Sequence, residues 1–152
     1  MFLGKLGVAI ILVAANAFAF GPVPNGEWRG NGSSTSEGGV VSPYKLRVKI
    51  RDHVIDYVVA NDGFVDEYSV DVTFGGYGFF TGQRIEHTMG EVTPVTGFCS
   101  TSACYFQTTI GDESNSFHIT PNGRYHEIGT RKDAGGMRWR WENTIPALPR
   151  LK

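Results

Sequence analysis

Apolar and polar positions alternate most strictly over residues 44–51. Tyr44, Leu46, Val48 and Ile50 fall on one face, and Lys45, Arg47, Lys49 and Arg51 on the other. A period of two marks a strand with one buried face. The pattern returns over 64–74, where Tyr68, Val70, Val72 and Phe74 oppose Glu67, Ser69, Asp71 and Thr73. Asn61-Asp62-Gly63 reads as the hairpin turn between this strand and one over 54–60. Further short strands are predicted around Trp28 and over 83–89, 91–99, 103–110, 116–120, 124–132 and 137–144. Glycine and serine make 33–39 a flexible loop, and the glycine-aromatic run 75–82 a bend or bulge.

No amphipathic helix of ordinary length interrupts this series. Roughly 8–10 short strands joined by local turns make an all-β meander. An antiparallel up-and-down β-barrel is the favoured arrangement, because closure removes the unpaired edges that invite aggregation. A β-sandwich is the alternative. Closure would pair the first strand, with Trp28, to the last, with Trp139 and Trp141.

Residues 1–19 stand apart. Lys5 precedes an apolar run from Leu6, and Ala17-Phe18-Ala19 offers small residues where a signal peptidase reads. This is the pattern of a secretory signal cleaved after Ala19. A membrane-spanning helix wants about 20 apolar residues, and this run is shorter and broken by Asn16. The expected product is a single barrel domain, 20–152, in the periplasm or secreted, with an irregular tail from 145 that carries Pro146 and Pro149. An outer-membrane barrel is a further reading, with the 44–51 pattern turned inside out. Against it, the chain ends Pro149-Arg150-Leu151-Lys152 rather than in an aromatic-terminated strand.

Charge narrows the partners. Fourteen Lys and Arg face 15 Asp and Glu, a formal net charge of −1. A nucleic-acid binder would need a basic stripe. The chemistry-bearing residues are sparse. Cys99 and Cys104 flank a hairpin tip in an exported chain, which points to a disulfide. His53, His87, His118 and His126 form no spaced metal set, and no serine sits in a nucleophile elbow. No cofactor and no catalytic residue is assigned, which favours binding over catalysis.

The aromatics carry more. Trp139 and Trp141 are two apart and share a face. With Phe79, Phe80 and Tyr125 they are the candidates for lining an apolar interior; equally, the aromatic set would serve to fill the barrel solid. Trp28, Arg138 and Arg140 are the candidates for closing the barrel, the arginines facing outward or one of them stacking on Trp28.

Gly26-Glu27-Trp28-Arg29-Gly30-Asn31-Gly32, followed by a meander and an arginine-rich late strand, resembles the lipocalin-like (calycin) superfamily. Its Gly-x-Trp-x-Gly-x-Gly spacing is similar to the opening of nitrobindin-type haem barrels. The resemblance implies that Trp28 plugs the closed end and that the interior takes a small apolar molecule. The haem version needs a histidine on a late strand. His118 or His126 would be the residue, but neither matches a motif, so haem is not carried over. The expected function is an exported, non-enzymatic lipocalin-like protein with a small apolar ligand inside. The alternative is a protein-interaction or inhibitor module with a filled barrel, working through loops 33–39 and 75–82.

Overall fold

The computed structural model describes residues 25–108 and 112–146; the expected signal segment and the end of the tail lie outside them. Ten strands follow one another: β1 (Gly26–Ser36), β2 (Val41–Arg51), β3 (Val54–Asn61), β4 (Phe64–Phe74), β5 (Phe79–Glu86), β6 (Val92–Cys99), β7 (Ala103–Thr108), β8 (Glu113–Ile119), β9 (Tyr125–Lys132) and β10 (Arg138–Ile145). Each pairs antiparallel with the next, and β1 pairs with β10, so the sheet is a closed up-and-down barrel rather than a sandwich. The alternation on β2 and β4 sends apolar side chains inward and most charged ones out, Asp66 excepted, the reverse of a barrel whose outer surface faces lipid.

β1 explains its own motif. Gly26, Trp28, Gly30 and Gly32 share the inward face, and each glycine leaves room for a large neighbour. A Cβ at Gly26 would lie 2.4 Å from the Trp28 ring, one at Gly30 2.3 Å from Ile145, and one at Gly32 2.4 Å from Tyr44. The spacing of glycines is therefore a steric requirement of this wall.

The β1–β10 ladder is short, with Ser34, Thr35 and Ser36 opposite Trp141, Arg140 and Trp139. Below it, side chains hold the seam. Ser33 N donates to Asn143 Oδ1 at 3.1 Å. Trp28 Nε1 donates to the Gly123 carbonyl, in the β8–β9 turn, at 2.8 Å, and its ring lies 5.4 Å from that of Tyr125. Trp28 thus spans the closed end and does not itself pair with the last strand. Arg138 and Arg140 point outward, and neither stacks on Trp28. The inward places on β10 belong to Trp139, Trp141, Asn143 and Ile145, and alternation leaves the arginines outside.

Around Trp28 the closed half is packed dry, with Val48, Ile50, Val70, Phe80, Phe106 and Phe117 all at most 4% exposed. Cys99 and Cys104 sit directly opposite each other on β6 and β7, joined by a disulfide and buried in this half.

Three local expectations are corrected. Ser33 to Ser36 continue β1 instead of starting a loop, because β2 pairs with Ser33, Ser34 and Thr35 and β10 with Ser34, Thr35 and Ser36, partners that composition cannot reveal. β5 begins at Phe79, inside the run read as a bend, after a single helical turn at Gly76–Gly78. Ile145, placed at the start of an irregular tail, belongs to β10 and is fully buried against Gly30.

Candidate functional site

Above the packed half the barrel is hollow. The cavity holds about 420 Å³ and opens at the end that carries the turns 37–40, 62–63 and 133–137. Its walls come from β1 to β4 and β8 to β10. Towards β5, Arg84 takes up the interior in its place, and Glu86 accepts from the Thr88 and Met89 N–H groups in the β5–β6 turn.

Two tryptophans shape one wall. Trp141 lies flat on β9 where residue 129 is glycine; a Cβ there would sit 2.2 Å from the indole. Trp139, at the mouth, donates from Nε1 to Asp133 Oδ2 at 3.1 Å. That bond, with the Met137 N–H at 2.9 Å, holds the Asp133 carboxyl below its ordinary range. Phe64, Leu46, Val59 and Tyr68 make the facing apolar surface.

The floor is polar. Glu127, 3% exposed, accepts from Tyr125 Oη at 2.8 Å and from Asn143 Nδ2 at 2.8 Å. Tyr125 and Tyr57 join their hydroxyls at 3.2 Å, and Asn143 also donates to Tyr44 Oη at 2.8 Å. Burial raises the Glu127 carboxyl above its usual range, opposed by these hydrogen bonds. Burial likewise pushes the Tyr44 phenol up to about 12. These hydroxyls therefore stay protonated at neutral pH and act as donors and acceptors.

A second polar group stands on the side wall. Arg84, 4% exposed, stacks its guanidinium 4.1 Å above the Tyr68 ring and brings Nε to 3.2 Å from Glu113 Oε2. This is an ion pair, and Arg84 Nε and Nη2 are without hydrogen-bond partners. Arg131 reaches Asp66 Oδ2 at 3.4 Å and Glu113 Oε2 at 4.0 Å from a half-exposed position. Burial raises the Glu113 carboxyl, against the pull of Arg84 and Arg131. Asp66 Oδ1 is buried and has no partner.

The five aromatics expected at the interior separate. Trp139 and Trp141 line the cavity. Phe80 and Tyr125 are inward but buried in packed surroundings, Tyr125 beneath the floor. Phe79 is 62% exposed and packs on Phe98 outside the barrel. Adjacent strand residues face opposite ways, so Phe79 and Phe80 could not both line it. His118 and His126 are cross-strand partners with rings 4.9 Å apart, on the outer surface, where His126 Nε2 meets Glu142 Oε1 at 3.1 Å. Neither reaches the interior to hold a haem.

Asp66, Glu113, Glu127, Arg131 and Tyr44 were not singled out by the sequence. The signal was parity. Asp66 is in phase with Tyr68 and Val70, Glu127 with Tyr125, and Asn143 with Trp141.

The fold and site together define a class: a closed ten-stranded antiparallel barrel, consistent with a calycin-like fold, with an interior cavity. Comparison with protein-family models, curated proteins and solved structures returned no match.

Proposed function

We propose that this protein is an exported binding protein that takes up one small organic molecule through the open end of its barrel. The observation that carries the reading is the cavity of about 420 Å³. Ligand sites run from about 300 to 1,000 Å³, with mainly apolar walls and a few placed polar groups. Indole, phenyl and aliphatic surface here surrounds a floor of tyrosine, asparagine and glutamate. The lining favours an amphipathic ligand over the small apolar molecule expected from the sequence.

Export rests on the leader-like residues 1–19 and agrees with the Cys99–Cys104 disulfide, a bond favoured in oxidising compartments. Native mass spectrometry of the protein purified from its own envelope or medium tests both claims. A retained small molecule on a chain starting at Phe20 is expected. A chain that keeps Met1 would overturn export. A cavity that takes up neither a native ligand nor the neutral probe N-phenylnaphthylamine would overturn binding and favour an interaction module working through its loops.

A further inference from the structure

We propose that one wall of the barrel, centred on β1, docks side-on against the headgroups of an anionic lipid bilayer. The inference concerns the outer surface and stands apart from the reading of the cavity.

Three observations converge. The first is where closure puts the cations. β2 sends Lys45, Arg47, Lys49 and Arg51 outward, and β1 adds Arg29. Closing the sheet brings β10, with Arg138 and Arg140, to the other side of β1, and behind it Lys132 on β9. The outward positions of β3 to β8 carry no lysine or arginine. Outward carboxylates on the four basic strands are Glu27 and Glu142 alone. The net charge of −1 therefore hides a polarised surface.

The second is that most of these cations are unpaired. Glu27 holds Arg29 and Asp56 holds Arg51, each at 2.6 Å, and Glu142 meets His126. Lys45, Arg47, Lys49, Lys132, Arg138 and Arg140 make no ion pair among the described residues. Two like-charged pairs lie directly opposite across the ladder, Arg29 with Arg47 and Arg138 with Lys132. Such pairs destabilise a sheet, and an external anionic surface relieves them. Neighbouring strands are about 4.8 Å apart and alternate residues about 6.8 Å. β1 turns the short Asn31, Ser33 and Thr35 outward between the long cations of β2 and β10, so those cations can reach one plane.

The third is an apolar edge on the same side. Val40 and Val41, where β1 turns into β2, are each 60% exposed, and Met137, before β10, is 41% exposed. Apolar contact and attraction to anionic lipid add in peripheral membrane binding. Glu37 opposes it, whereas the Asp133 carboxylate is taken up by Trp139 Nε1 and the Met137 N–H. No Phe, Tyr or Trp faces outward on these four strands, so a nucleic-acid strand would find no stacking platform. A soluble polyanion would leave the apolar edge unused.

The test is cosedimentation of the full-length processed protein with vesicles of phosphatidylcholine, alone or with about one-third phosphatidylglycerol. Each Lys or Arg near an anionic surface strengthens binding about fivefold. The anionic vesicles are expected to bind at least tenfold tighter than the neutral ones. Raising salt from about 0.1 M to about 1 M, which shortens screening from about 10 Å to about 3 Å, should release the protein. Lys45→Ser, Arg47→Ser and Lys49→Ser together should cost at least tenfold, and Arg138→Ser with Arg140→Ser at least fivefold. Arg124→Ser, in the β8–β9 turn, should stay within twofold. Val41→Ser with Met137→Ser should weaken vesicle binding at least threefold and leave heparin binding unchanged. Circular dichroism checks each fold. Equal binding to neutral vesicles, or unchanged binding after the β10 pair is replaced, would overturn the proposal. Displacement from vesicles by single-stranded DNA or heparin at equal anion concentration would assign the wall to a soluble polyanion and overturn the bilayer. The lipid and salt comparisons in the unmodified protein decide even if a variant does not fold.

Discussion

Removing the Trp28 ring tests how the barrel is held at its closed end. The side chain is 4% exposed, covers Gly26, lies against Tyr125 and donates to Gly123. Burial of a tryptophan removes about 200 Å² from water. At roughly 25 cal/mol per Å² that is about 5 kcal/mol, and tryptophan-to-alanine changes in cores cost about 3–5 kcal/mol. The indole hydrogen bond adds about 1 kcal/mol. Trp28→Ala should therefore lose about 4–6 kcal/mol from a total that for single domains is about 5–15 kcal/mol. With a urea slope near 2 kcal/mol per M, the midpoint should fall by roughly 2–3 M. Trp28→Phe keeps a ring and loses the donor, so it should sit well above the alanine variant. Glu27 faces outward and pairs with Arg29 at 2.6 Å, a surface contact worth about 0–1 kcal/mol; Glu27→Ala should scarcely move the midpoint. Urea unfolding followed by circular dichroism measures all three. A Trp28→Ala midpoint within about 0.5 M of the parent would show that the Trp28 ring is not what holds the closed end.

Three other changes probe other parts. Replacing Cys99 and Cys104 together by serine should cost about 2 kcal/mol, the chain-entropy value for so short a loop, and leave the circular dichroism spectrum native. Gly129→Ala puts a methyl where the Trp141 indole lies; the ring must move into the cavity, so naphthyl-probe affinity should fall, with overpacking of about 1–3 kcal/mol visible in the melting temperature. The third concerns pH. Glu113 and Glu127 are raised by burial, so between the unfolded value of about 4.3 and their folded values the native state holds more protons than the unfolded chain. Stability should therefore rise as pH falls from neutral through that window. Glu27, Glu86 and Asp133 are lowered by hydrogen bonds, and their contribution is lost on further acidification. Glu127→Gln should flatten the neutral-side slope in melting temperature against pH; an unchanged slope would refute the assignment.

The barrel was legible because alternation survives on most strands and the turns are short. β2 and β4 show why: each inward face is apolar over most of its length, so the periodicity is visible in composition. The cavity was not legible for the converse reason. Its lining includes Asp66, Glu113, Glu127, Ser34 and Ser42, residues that read as surface when apolarity alone marks the inside. β8 makes the point. Glu113, Asn115 and Phe117 are all inward, and only Phe117 announces it. The register of β1 on β10 depends on contacts between residues about a hundred positions apart, which no local pattern encodes. Phe79 and Phe80 show the remaining difficulty: two adjacent aromatics offer no internal sign of which one turns in.

The barrel is divided along its axis. Trp28, the disulfide and the packed apolar cluster lie at one end, and the residues that line the cavity lie at the other. The packed core and the cavity lining are therefore written in different positions of the same strands, and a strand such as β4 carries Val70 and Val72 for the first and Phe64 and Asp66 for the second. Substitutions near the mouth can therefore reshape the cavity while leaving the packed end unaltered, and a designer can graft new pockets onto the barrel by the same route.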